Sequence, residues 1–135
     1  MSKWSKSRVV VCGTDKSQLN KLFAILKGLF GSSIPNCPKS FSYDGLIKAL
    51  NLSSSSIYCN ASGEQLKQET DGIIMWEDSF SGAAPNDVYK AIASAFKGLK
   101  VLYCGLDDEG FPCITNDVDG LYFPERFVVL EGYGC

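Results

Sequence analysis

The chain has 135 residues, 45% of them hydrophobic and 21% charged, with a net charge of −2 and an isoelectric point near 5.1. One domain over residues 1–135 with one sizeable core fits that length, and no apolar run approaches the roughly 20 residues that span a bilayer. Histidine is absent, which removes the commonest general base and the usual partner of a Ser or Cys nucleophile and so excludes the familiar catalytic triads.

Arg8 to Cys12 is an apolar run after one charge, the mark of a strand buried on both faces. It follows a basic start whose apolar run is too short for a secretion signal. Gly13 ends it. Asp15 with Gln18 three residues on predicts a capping box, and Leu19, Leu22, Phe23, Leu26, Leu29 and Phe30 then recur at helical spacing up to Gly31. A shorter helix is expected over Tyr43–Leu50, with Tyr43, Leu46, Ile47 and Leu50 on one side. After a serine run, "SIYCN" reads as a strand, Asp71-Gly72 as a hairpin turn and "GIIMWEDSF" as the strand beyond it. Pro85 opens another helix, whose stripe is Val88, Ile92, Ala95, Phe96 and Leu99, with Gly98 closing it.

The remainder reads as β. "LKVLYCGL" turns through Asp107–Gly110 into "FPCIT", and Asp119-Gly120 turns into "LYFPERFVVLEGY", with Pro124 at an edge or a bulge. If Asp108 and Glu109 are the central residues of the first turn, Asp107 pairs with Gly110 and Cys104 lies opposite Cys113. The order β-α-(α)-β-β-α-β-β predicts an α+β two-layer sandwich. Its sheet is mostly antiparallel, with two long amphipathic helices on one face, and the nearest architecture is ferredoxin-like.

"WSKSRVVVCG" followed by an amphipathic helix, and Trp76 followed by an acidic stretch, Pro85 and a second helix, resemble the YubB-like ferredoxin-like proteins of plasmids and phages. The resemblance covers residues 4–30 and 73–115. It implies the fold and a mobile-element origin, and it carries no activity.

Charge is spread unevenly: residues 1–50 carry +6, residues 51–100 carry −2 and residues 101–135 carry −6. Asp107, Asp108, Glu109, Asp117 and Asp119 fall in two neighbouring turns and suggest one acidic rim. Three readings of it stand: turn chemistry that favours Asp, a surface complementary to a basic protein partner, or an oxygen-only site for Mg²⁺ or Ca²⁺. An EF-hand loop laid from Thr115 puts Asp117, Asp119 and Gly120 in place. It fails at its first position, Thr115, and at its last, where Arg126 replaces the bidentate Glu.

Six cysteines, at 12, 37, 59, 104, 113 and 135, include no C-x-x-C pair. That argues against structural zinc and for reduced thiols in a cytoplasmic setting, where the sequons at Asn51 and Asn60 carry no sugar. Cys12 and Cys104 end apolar runs as small buried hydrophobes. Cys37, Cys59 and Cys113 are the candidate nucleophiles, and the acids beside Cys113 raise its pKa. Glu77 and Asp78 are candidates for acid/base work, but adjacent strand residues face opposite sides.

Tyr58, Tyr103, Tyr122 and Phe123 read as core, and Lys3, Lys6 and Arg8 beside Trp4 as a solvated terminus; with the acidic balance this disfavours nucleic acid. The expectation is a cytoplasmic protein-binding module with no catalytic residues, no cofactor and no metal, its partner presenting a basic surface. Encoded on a mobile element, it would suit inhibition of a host defence complex such as a CRISPR effector, whose channels are basic. A small metal-dependent or thiol enzyme is the alternative, and the oligomeric state stays open.

Overall fold

The computed structural model describes residues 6–29, 40–50, 60–81, 86–107, 109–123 and 129–130. Its elements run β1 (Lys6–Gly13), α1 (Lys16–Gly28), β2 (Ser40–Ser42), α2 (Tyr43–Ala49), β3 (Asn60–Gln68), β4 (Ile74–Ser81), α3 (Asn86–Ala95), β5 (Leu99–Leu106), β6 (Pro112–Thr115) and β7 (Val129–Leu130). The strands form one sheet in the order β2-β3-β4-β1-β5-β6-β7. Every neighbouring pair is antiparallel except β6 and β7, which run parallel. The class is α+β.

Alternation divides the central strands between two faces. Val9 and Val11 of β1, Ile74, Trp76 and Phe80 of β4, and Leu99, Val101 and Tyr103 of β5 belong to one buried cluster. The same cluster takes Leu19, Leu22 and Leu26 of α1, Tyr43, Leu46 and Ile47 of α2, and Val88, Tyr89 and Ile92 of α3, so all three helices cover this face. The intervening residues Val10, Leu102, Cys104 and Leu106 form a smaller cluster on the other face, closed by Phe123.

At the helix starts the Asp15 signal acts as expected, and a second cap, Ser42, was not singled out in the sequence. The Asp15 carboxylate accepts from the Gln18 N–H at 3.2 Å and Ser42 caps α2 through the Asp44 N–H at 3.1 Å, each satisfying a donor the helix leaves open. Leu22, Leu26, Ile92 and Phe96 are buried on the same face, and Phe23 packs against them. Ala95 is exposed instead, and Tyr89 takes its place in the buried stripe of α3.

Three expectations need correction. Asp107 pairs with Phe111, not with Gly110: the Asp107 N–H donates to the Phe111 carbonyl and the Gly110 N–H to the Asp107 carbonyl, both at 2.9 Å. The loop is therefore three residues long, and Gly110 at φ +87° supplies the left-handed position such a loop requires. The β3–β4 turn repeats the pattern, with Glu69 bonded to Ile73 and Gly72 at φ +95°. The longer loop and a bulge after Gly105 set Cys104 opposite Thr115, while Cys113 falls in the bulge. Both residues are thiols.

Second, Asp119-Gly120 does not reverse the chain into a hairpin. Residues 121–123 are not strand, and β7 joins β6 in parallel, which a tight turn cannot achieve. Third, β2 and most of β3 were not anticipated, and of the strand expected over 121–133 the described residues show only Val129–Leu130, as β7. The expected strand "SIYCN" lies outside the described residues except for Asn60, as do Trp4, Lys3, Phe30, Gly31, Cys37, Asn51, Tyr58, Cys59, Pro85, Pro124, Arg126 and Cys135.

Candidate functional site

One carboxylate points into the helix-covered face. In β4 the inward positions are Ile74, Trp76, Asp78 and Phe80, so Asp78 is carried inside by strand parity and is only 2% exposed. Room for it comes from its cross-strand neighbours, Gly63 on β3 and Ser7 on β1, with Gly105 beyond on β5. A side chain at Gly63 would run into the Phe41 ring. The space above this row of small residues is filled by two phenols brought in from different helices.

Tyr43, the first residue of α2, donates its hydroxyl to Asp78 Oδ2 at 2.7 Å. Tyr89 of α3 donates its hydroxyl to the same oxygen. The Trp76 indole N–H donates to the Tyr43 hydroxyl at 2.8 Å, so a chain of donors runs Trp76 to Tyr43 to Asp78. Ring contacts support it: Tyr89 stacks on Tyr103 with centroids 4.9 Å apart, and Phe41 lies between Tyr43 and Trp76. Among the described residues, no hydrogen bond within normal geometry reaches the second, buried carboxyl oxygen, Oδ1.

Burial dominates the electrostatics. It lifts the Asp78 carboxyl from its ordinary 3.8 to about 6, against the opposing pull of the Tyr89 and Tyr43 hydroxyls. Ser7 adds a weaker polar contact that favours ionisation, although its Oγ makes no hydrogen bond. Both phenols are pushed well above 10, first by burial and then by the Asp78 charge, so they remain donors. Chemically the cluster can hold or release one proton near neutral pH. It is sealed beneath α2 and α3, and it joins those helices to β4.

The face of Tyr89 away from this cluster lines a cavity of about 340 Å³ between α3 and β5, together with Asn86, Lys90, Ala93, Val101, Tyr103 and Asn116. Asn116 fixes its outer wall, accepting from the Tyr103 N–H and donating to the Val101 carbonyl.

The acidic turns are not one rim. The 107–111 loop precedes β6 and the 116–120 turn follows it, so the two lie at opposite ends of that strand. Asp107 directs Oδ1 at its own loop, accepting from the Glu109 and Phe111 N–H groups at 2.9 Å. Asp117 is 4% exposed, and its carboxylate accepts from the N–H groups of Leu121, Tyr122 and Phe123 at 3.2, 2.8 and 3.0 Å. Those two aspartates do turn chemistry. Glu109 and Asp119 are exposed, and Asp108 lies outside the described residues.

The thiols are poorly placed for attack. Burial raises the pKa of Cys12 and Cys113, and Asp107 raises Cys113 further. Cys113 donates to the Gly105 carbonyl at 3.3 Å, and Cys104 is fully buried. Among the described residues, no three His, Cys, Asp or Glu side chains gather closely enough to hold a metal ion, and no helix is long and apolar enough to cross a membrane. Tyr103 and Phe123 are buried as expected, and Tyr122 is half-buried.

Sequence reasoning passed over Asp78, Tyr43 and Tyr89 as a unit. The signal was there in β4: an acid at the same parity as Ile74, Trp76 and Phe80 has to be buried, and a buried acid requires donors. Comparison with protein-family models, with curated proteins and with solved structures finds no match to this chain.

Proposed function

We propose that the chain is a non-catalytic module that binds a protein partner through the turns flanking β6. One observation carries this reading. Phe111, Val118 and Leu121, at 61%, 46% and 63% exposure, are large apolar side chains held out at those turns, with the exposed carboxylates of Glu109 and Asp119 beside them. Each turn thus offers apolar side chains with one exposed carboxylate close in sequence, two separate patches joined by the four-residue β6, which suits a partner that offers pockets and basic groups to both.

The order β3-β4-β1-β5, crossed by α1 and α3, supports a ferredoxin-like arrangement, with β2, α2, β6 and β7 as additions. With the resemblance to YubB-like proteins, that supports a mobile-element origin and, as the most specific form of the proposal, inhibition of a host defence complex with basic nucleic-acid channels. The test uses a purified CRISPR effector and compares the chain with its Phe111→Ser/Leu121→Ser variant, and with Glu109→Lys/Asp119→Lys. Saturable binding that both variants weaken at least tenfold, and that salt weakens by slowing association, is expected. Binding unaffected by either variant would sink the surface, and no binding would sink the effector as partner.

A further inference from the structure

The sheet face away from the helices carries a second built feature. A groove of about 280 Å³ opens there, with Val10, Met75 and Phe123 as its apolar floor and Arg8, Gln65, Lys67, Glu77 and Tyr122 around it. Its walls are made by two special backbone segments. On one side the turn carrying Tyr122 and Phe123 is pinned by the buried Asp117 carboxylate. On the other, β3 has one extra residue between Glu64 and Lys67, where Gln65 adopts φ +56°.

That bulge changes what the strand presents. Beyond it Leu66 packs on the helix-covered cluster and Lys67 pairs with Met75, so Lys67 is placed on the open face. A non-glycine residue at positive φ costs conformational energy, and such positions gather at binding sites.

The polar end of the groove has an unusual charge pattern. Arg8 and Glu77 are directly opposed cross-strand partners, and Glu64 lies next along the same row. Directly opposed side chains are close enough to pair. Yet among the described residues no ion pair joins Arg8 to Glu77, whereas Lys67 is engaged by Glu69 at 3.7 Å. Arg8 and Glu77 therefore both line the groove from opposed strand positions without closing an ion pair on each other, next to an apolar floor.

We propose that this groove binds a free α-amino acid with a large apolar side chain. The ligand carboxylate takes the Arg8 fork, its ammonium takes Glu77, and its side chain lies on Val10, Met75 and Phe123 against the Tyr122 ring. A zwitterion satisfies both charges without adding net charge, which an anion or a cation alone cannot do at this pair. At about 280 Å³ the groove has room for one such molecule.

Titration of the purified chain with L-methionine, L-leucine and L-phenylalanine, followed by calorimetry, tests the assignment. Saturable binding is expected, weakened about tenfold or more when the ammonium is acetylated, when the carboxylate is amidated, or in Arg8→Ala and Glu77→Gln. L-Serine should bind at least tenfold more weakly. Arg8 is exposed and Glu77 half-buried, so both variants should fold, and their melting curves check this. The proposal is overturned if no amino acid binds at millimolar concentration. It is overturned equally if the blocked amino acids bind as well as the parent ones, which would mark an apolar surface only, or if either variant binds as well as the native chain.

Discussion

Among the described residues two aspartates are buried, Asp78 on the helix-covered face and Asp117 in the turn that brings Phe123 onto the other, and they use their burial differently. Asp78 accepts hydrogen bonds from side chains 35 and 11 residues away in sequence, on α2 and α3, and so ties separate elements together. Asp117 accepts from backbone N–H groups only 4 to 6 residues on and shapes a single turn. One therefore bears on global stability and the other on a local surface. The same residue type, equally buried, has consequences set by where its donors come from.

Breaking the Asp78 tie should cost most. Asp78→Ala leaves the Tyr43 and Tyr89 hydroxyls buried without an acceptor, and at about 1–3 kcal/mol for each orphaned group the loss is roughly 2–6 kcal/mol in urea unfolding. Leu26→Ala removes a fully buried side chain from the same face; roughly 2–5 kcal/mol is expected, from lost transfer energy plus cavity. Two small losses here would mean that the helices are not docked as described.

Asp117→Ala should be milder, about 1–3 kcal/mol, because the Leu121 and Tyr122 donors it releases are only part-buried and the turn can open locally to water. Its signature is local: amide exchange should speed up at Leu121, Tyr122 and Phe123 while the amides of α1 and β1 keep their protection. Equal loss of protection on both faces would erase the distinction between the two aspartates. Smallest of all, charge reversal at Glu109 and Asp119 should move the melting temperature little, since exposed carboxylates contribute about 0–1 kcal/mol.

The same contrast explains what could be read from the sequence. The helices were legible because Leu19, Leu22 and Leu26, Tyr43, Leu46 and Ile47, and Val88 and Ile92 repeat at helical spacing behind recognisable starts. Strand β3 was not, because its inward positions include the small Ala61 and Gly63, the latter held to glycine by the Phe41 ring, and leave no apolar alternation to see. Both hairpins were anticipated, one from Asp71-Gly72 and the other from the turn Asp107–Gly110, yet their loops hold three residues, a difference that in the second moved Cys113 out of register with Cys104. The parallel seating of β7 depends on a non-local pairing that no local pattern encodes. For the acidic turns, sequence proximity concealed that β6 separates them, and that Asp107 and Asp117 spend their oxygens on their own backbone. Asp78 was half-read: its opposition to Glu77 was recognised, but not the two phenols that meet it.

Ionisation of Asp78 provides the most direct test. With the folded pKa raised above the ordinary value, stability is fully present below about 3.8 and is lost as pH rises through about 6. The chain should therefore be about 1 kcal/mol more stable near pH 5 than near pH 7, a slope that Asp78→Asn abolishes. The carboxyl carbon of Asp78, assigned by that variant and followed by NMR through the titration, reports the proton itself. A midpoint near 6 is expected of a carboxylate sealed between Tyr43 and Tyr89. A midpoint near the ordinary 3.8 would show that Asp78 meets water, and that the tie between the helices and β4 does not exist.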